Sequence, residues 1–161
     1  MQRILVIGCP GSGKSTFSRA LSQRLGLPLF HLDMMRWSAN KTMVPREVFM
    51  ERLDEALAQP SWIIDGNYNS TMEYRLEKCD TVFFLDYDTD VCLSGVRERI
   101  GKPRLDMPWS ETEEDPEFMD FIRSYNTNSR PRVLEILGRL TGKETVIFKS
   151  RDEADRYLET I

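Results

Sequence analysis

Apolar residues fall into two kinds of run along this chain. Five short runs are rich in β-branched, leucine or aromatic residues: Arg3–Ile7, Pro28–Leu32, Trp62–Ile64, Thr81–Leu85 and Thr145–Lys149. Most are continuous rather than alternating, which predicts strands covered on both faces, as in a parallel sheet. The other runs have helical spacing. Lys14–Leu25 sets Phe17, Ala20, Leu21 and Leu25 on one face, and Pro45–Leu57 does the same with Val48, Phe49, Leu53, Ala56 and Leu57. Pro45 suits a helix start. Asp90–Ile100, Pro116–Tyr125, Pro131–Leu140 and Arg151–Ile161 read as further helices. Strands alternating with helices predict an α/β domain with a doubly wound, five-stranded parallel sheet flanked by helices.

Two stretches break the rhythm. Gly101–Trp109 contains Gly101, Pro103 and Pro108, and Asp106–Asp120 carries seven acids and no basic residue. Such a segment is either a solvated loop and helix face or a mobile lid. The lid reading places a lid-like insertion at about 101–130 within a single domain spanning 1–161.

Composition narrows the function. The chain has 161 residues, 40% hydrophobic and 30% charged, enough for one packed core. With 22 basic and 26 acidic residues the net charge is −4, the opposite of a backbone-gripping nucleic-acid binder. No apolar run reaches 18 residues, so no transmembrane helix is expected, and the N-terminal run is too short for a signal peptide. Cys9, Cys79 and Cys92 lack metal spacing and read as reduced thiols of a cytoplasmic protein.

Gly8-Cys9-Pro10-Gly11-Ser12-Gly13-Lys14-Ser15 matches the pattern G-x-x-x-x-G-K-[ST], after an apolar strand and before an amphipathic helix. Gly11 and Gly13 permit the turns and a close approach to phosphate. Successive N–H groups at a helix start form an anion nest. Lys14 supplies a point charge to the β- and γ-phosphates, and Ser15 a hydroxyl to Mg²⁺. The expected nucleotide-binding set is Gly8, Pro10, Gly11, Ser12, Gly13, Lys14, Ser15 and Thr16. The loop alone does not name a reaction. An Asn-Lys-x-Asp base-reading motif is absent, as is the extended core of a motor ATPase, which leaves a compact P-loop kinase.

Ligands of such sheets lie beyond the carboxyl ends of the strands, where Asp33, Asp65, Asp86 and Asp88 fall. Asp65 ends Trp62-Ile63-Ile64 and precedes Gly66, the setting of a P-loop Mg²⁺ carboxylate. Asp33 could serve the metal or the acceptor. Asp86 and Asp88 read as caps of the following helix. Arginine forks suit a transferring phosphoryl group. Arg75 follows the third strand, Arg97, Arg99, Lys102 and Arg104 lead into the lid-like stretch, and Arg123, Arg130 and Arg132 follow it. His31 and Cys9 read as structural. Trp37, Tyr68 and Trp109 either pack or line an acceptor pocket.

Gly8–Ser15, Phe30-His31-Leu32-Asp33 and Trp62-Ile63-Ile64-Asp65-Gly66-Asn67-Tyr68 together resemble the adenylate kinase-like P-loop proteins, and more closely the group known as DNA topology modulation proteins. The resemblance extends to Arg75, Arg99–Arg104, Asn128-Ser129-Arg130-Pro131 and Val146–Arg151. It implies a five-stranded core with a nucleotide-accepting region and a small lid. Nucleoside monophosphate kinases of this kind carry Asp-Gly-Phe-Pro-Arg where this chain has Asp-Gly-Asn-Tyr, so acceptor recognition differs. Gly95 stands where many relatives carry an arginine. The lid has no Cys₄ pattern, which excludes a structural zinc there.

The expectation is ATP- and Mg²⁺-dependent phosphoryl transfer to a small-molecule acceptor, a nucleotide or nucleoside. Lys14, Asp33, Arg75, Arg99 and Arg130 would be catalytic, with Ser15 and Asp65 at the metal. The alternatives are a nucleotide-switched regulator of DNA topology, gripping DNA through Arg97–Arg104, or a slow ATPase without a small acceptor.

Overall fold

The computed structural model describes residues 1–161. Its strands are β1 (Arg3–Gly8), β2 (Leu29–His31), β3 (Trp62–Asp65), β4 (Thr81–Leu85) and β5 (Glu144–Phe148). They form one sheet in the order β2-β3-β1-β4-β5, with every pairing parallel. Its helices are α1 (Lys14–Leu25), α2 (Leu32–Arg36), α3 (Arg46–Leu57), α4 (Asn69–Lys78), α5 (Thr89–Arg99), α6 (Pro116–Asn128), α7 (Arg130–Gly138) and α8 (Arg151–Glu159).

Period-two alternation in β1 divides the core. Ile4 and Val6 join the cluster packed under α1, α5, α6 and α8, while Leu5 and Ile7 join the one under α2, α3, α4 and α7. All four side chains are fully buried. Each contributes roughly 1.5–3 kcal/mol as an upper estimate of transfer from water. No helix is long and apolar enough to cross a membrane.

Several expectations change. Leu32 begins α2 instead of ending β2. The edge strand β5 is covered less fully than its apolar run suggests, and Ile147 remains exposed. Helix α4 was not foreseen, because its core face at Met72, Arg75 and Leu76 carries a fully buried arginine where an apolar residue would mark the pattern. Asp88 sits at the start of α5 without a side-chain capping bond. Within 101–130, the segment before Pro116 is irregular, whereas Met119, Ile122 and Tyr125 of α6 belong to the core. The irregular part of this stretch is therefore 101–115.

Candidate active site

A cleft of about 1340 Å³ opens at the carboxyl ends of the strands. It exceeds the roughly 300–1,000 Å³ of a single small-molecule pocket and has room for two ligands side by side. Its floor is Pro10–Thr16, the loop between β1 and α1 together with the first turn of α1. Gly13 precedes α1 without a side-chain cap, so the first N–H groups of the helix stay open to an anion. Gly11 has φ +82°, and a Cβ there would come within 2.0 Å of the Cys92 carbonyl oxygen. From the other side, a Cβ on Gly95 would lie 2.0 Å from the Gly11 carbonyl oxygen. Loop and α5 thus pack backbone to backbone, a close approach that leaves no room for a side chain at Gly95.

Asn67 supplies the other clamp. Its Oδ1 accepts from the Gly8 N–H at 3.0 Å, and its Nδ2 donates to the Gly8 carbonyl at 2.5 Å. The Lys14 Nζ donates to the carbonyls of Gly8 at 2.8 Å and Cys9 at 3.1 Å. Burial pushes the Lys14 ammonium below its ordinary range, against the pull of Cys9, Asp65 and Asp33. The Cys9 thiol is hydrogen-bonded with Cys92 and buried, and both push it well above the usual thiol range, away from reactive thiolate character. Ser12 Oγ is buried without a partner. A half-buried loop with open N–H groups, a charged amine and an orphaned hydroxyl suits a polyphosphate.

The carboxylates separate by role. Asp65 is buried at the end of β3, and both its oxygens face His31 Nδ1, at 2.9 and 2.8 Å. Burial pushes the His31 imidazole down, but the hydrogen bond and charge of Asp65 outweigh it, and the net shift is upward. Asp33, near the start of α2, accepts from Tyr68 Oη at 2.6 Å, and burial raises its pKa despite that bond. Tyr68 Oη in turn accepts from Trp37 Nε1 at 3.0 Å, and the Trp37 ring meets Trp109 edge-on at 6.2 Å. Ser15, Asp33 and Asp65 all line the cleft. These are hard oxygen donors, and no group of three or more His, Cys, Asp or Glu side chains could hold an ion unaided. They fit Mg²⁺, which binds through few protein oxygens together with phosphates and water.

An acid of the lid-like segment sits against the loop. Asp106 Oδ2 accepts from Ser15 Oγ at 2.8 Å and from Arg104 Nη2 at 2.8 Å. Arg104 Nη1 and Arg99 Nη2 both donate to Glu111 Oε1, at 3.0 and 2.8 Å. Burial would raise the Asp106 carboxyl, but Arg104 and Ser15 hold it well below the usual carboxylate range. A continuous chain thus runs Ser15–Asp106–Arg104–Glu111–Arg99. Sequence reasoning missed Asp106 and Glu111 because an acidic run offers no signal to single out one member. It missed Asn67's clamp because asparagine after Asp-Gly reads first as a turn residue.

Two expected site residues are corrected. Arg75 does not reach the cleft. It is fully buried and donates to the carbonyls of Gly66, Asn67 and Tyr68 and to Thr71 Oγ1. Burial without a carboxylate partner pushes its guanidinium down to about 10. It acts instead on the loop after β3, where Tyr68 holds a left-handed φ of 31° that a tyrosine rarely adopts. Arg130 is also not among the cleft residues. Its fork is bidentate on Asp86, at 2.7 and 2.9 Å, with Lys149 Nζ on the same carboxylate at 2.5 Å. Asp86 is therefore an anchor for Arg130 at the start of α7 and for the end of β5, not a helix cap.

No protein-family model matches the sequence, and no curated protein matches it. The fold does have solved counterparts. A shikimate kinase from Bacteroides thetaiotaomicron superposes with a TM-score of 0.65 at 20% identity, covering 99% of this chain and 95% of that one. A shikimate kinase from Acinetobacter baumannii, solved in complex with shikimate, gives a TM-score of 0.65 at 17% identity, with coverage of 99% and 92%. At such identities the likeness establishes the fold alone, the five-stranded parallel sheet with flanking helices that this chain shares with the two shikimate kinases.

Proposed function

We propose that this protein transfers the terminal phosphoryl group of ATP to a small-molecule acceptor held in the same cleft. The observation that carries the reading is one cleft lined both by the phosphate loop with Lys14 and Ser15 and by Asp33 with its aromatic neighbours. Nucleotide and nucleoside acceptors are the finer form of the reading, supported by the sequence resemblance.

The residue roles follow from charge and reach. Gly11–Thr16 hold the polyphosphate through backbone N–H groups, with Pro10 shaping the turn, and Lys14 neutralises charge growing between the β- and γ-phosphates. Lys14 leaves the Gly8 and Cys9 carbonyls to do so, and the phosphate charge restores the protonation that burial opposes. Ser15 and Asp65 would hold Mg²⁺, directly or through water. When bound, that ion neutralises phosphate charge and fixes the oxygens. Asp106 must yield Ser15 for this to happen. Its departure releases Arg104 toward the new negative charge, with Arg99 beside it through Glu111. Asp33 accepts a proton from a hydroxyl acceptor, and burial, by raising its pKa, makes it a better base.

The two alternatives find less support. The three arginines of the Arg97–Arg104 stretch are each paired, Arg97 on Glu114, Arg99 on Glu111 and Arg104 on Asp106 and Glu111, which leaves Lys102 as its one unpaired cation. The stretch presents no open basic patch to a DNA backbone. A slow ATPase would leave the Asp33–Tyr68–Trp37 arrangement without a task. The test is an ADP-release assay with Mg²⁺–ATP and pooled small metabolites, with Lys14→Ala as the control. Acceptor-stimulated turnover that needs Lys14 is expected. ADP release that no acceptor stimulates, or that survives Lys14→Ala, would overturn the reading.

A further inference from the structure

Lys14 has two stations to serve. In the resting structure its Nζ donates to the carbonyls of Gly8 and Cys9, at 2.8 and 3.1 Å. Phosphoryl transfer needs the same ammonium on the β- and γ-phosphates. Gly8 and Cys9 are both buried. A buried carbonyl that loses its last donor is costly, and that cost is subtracted from the binding of whatever drew the donor away. Lys14 leaves cheaply only where each carbonyl keeps a second donor.

Each carbonyl has one. The Cys9 carbonyl also accepts from the Ser12 N–H at 3.1 Å, a bond made within the loop. The Gly8 carbonyl also accepts from Asn67 Nδ2 at 2.5 Å, a donor from outside the loop. The Gly66 N–H donates to the Val6 carbonyl at 3.1 Å, and the Asn67 carboxamide adds the next rung between β1 and the end of β3 by bonding both polar groups of Gly8. Asn67 does not travel with Lys14. Its own carbonyl is held by the Arg75 guanidinium, which also holds the carbonyls of Gly66 and Tyr68. Arg75 is fully buried. The backbone beneath Asn67 is thus fixed independently of the lysine.

We infer that Asn67 is a positioning residue for Lys14: its Nδ2 keeps the Gly8 carbonyl satisfied while the ammonium moves to the phosphates. This inference rests on the phosphoryl-transfer reading above. The move breaks two hydrogen bonds from Lys14 and orphans neither carbonyl. Without the Asn67 amide, the Gly8 carbonyl has Lys14 as its one donor. The ammonium is then retained at its resting station, and the nucleotide has to overcome that retention. The Gly8 N–H loses its acceptor too, but equally before and after the move, so that loss cancels. The effect of removing Asn67 on nucleotide binding therefore exists only in a protein that has Lys14.

The test is a double-mutant cycle on the full chain, read as affinity for a non-hydrolysable ATP analogue with Mg²⁺. Calorimetry measures the tight cases, and NMR titration at high analogue concentration the weak ones. Asn67→Ala should weaken binding about tenfold where Lys14 is present. In the Lys14→Ala background the same substitution should change affinity by less than about twofold. A residue that merely staples the loop to β1 would weaken binding equally in both backgrounds. That result would overturn the inference, as would an unchanged affinity where Lys14 is present. If chemical denaturation shows Asn67→Ala to be unfolded, Asn67→Ser, which stays polar but lacks the paired amide, carries the same cycle with the same expectations. Analogue binding that depends on Lys14 but shows no coupling to Asn67 leaves the phosphoryl-transfer reading standing. No binding by the wild type, or equal binding by Lys14→Ala, would overturn both.

Discussion

The phosphate loop and the lid-like segment face each other across one cleft and are held by different physics. The loop is fixed by short-range geometry: Gly11 lies against Cys92 and Gly95, and Asn67 clamps both polar groups of Gly8. The lid-like segment is tied to the rest by the Ser15–Asp106 hydrogen bond and the Arg99–Glu111 ion pair, with Arg104 linking Asp106 to Glu111 inside the segment. Packing of the first kind has one solution, since any added atom meets backbone. Ion pairs of the second kind exchange partners when a stronger anion arrives. The contrast suits a rigid phosphate cradle under a closing element whose contacts a nucleotide's phosphates can replace.

The largest effect should come from breaking the rigid side. Gly11→Ala places a Cβ into the Cys92 carbonyl at a positive φ, at a cost of roughly 2–4 kcal/mol in stability, read by chemical denaturation. An unchanged midpoint would mean that the loop is not locked by this contact. Next is Arg75→Met, which keeps volume but removes the donors to Gly66, Asn67 and Tyr68. It should lower stability by about 2 kcal/mol, and Arg75→Lys should not rescue it, because an ammonium lacks the planar fork.

The lid side should respond more gently and with opposite sign. Asp106→Asn removes the charge that competes for Ser15, so a Mg²⁺–ATP analogue should bind about tenfold tighter by calorimetry, a coupling of typical size. Weaker binding would instead make Asp106 a participant in holding the metal. The smallest effect concerns His31. Its folded pKa is raised, so the His31–Asp65 pair stabilises fully below the unfolded value of about 6.5. That contribution is lost as pH rises through the folded pKa. The His31 ring resonances should titrate above 6.5 in wild type, and Asp65→Asn should bring the midpoint down.

Much of this contrast was legible in the sequence on one side and hidden on the other. The loop was readable because its geometry demands particular residues in fixed order, and β1, β3 and β4 because they are buried on both faces. Asp65 was placed at its strand end by the same logic. Arg75 and Arg130 misled because the sequence reveals an arginine but not its acceptors. One is spent on three backbone carbonyls, and the other on Asp86. Asp106 and Glu111 stayed hidden in an acidic run whose members differ only in what folds opposite them. The Asp33–Tyr68–Trp37 chain was equally out of reach, since it joins α2 and its C-terminal cap to the loop after β3 through side-chain geometry.

The most direct test of the central claim follows the phosphorus itself. Phosphorus NMR of Mg²⁺–ATP with wild-type protein and a mixture of small-molecule acceptors, nucleosides and nucleoside monophosphates among them, should show a phosphorylated-product signal growing as the ATP γ-phosphate signal falls. Lys14→Ala should slow that growth by at least about 100-fold while keeping the wild-type fold. Inorganic phosphate as the sole product, or equal rates for the two proteins, would contradict it.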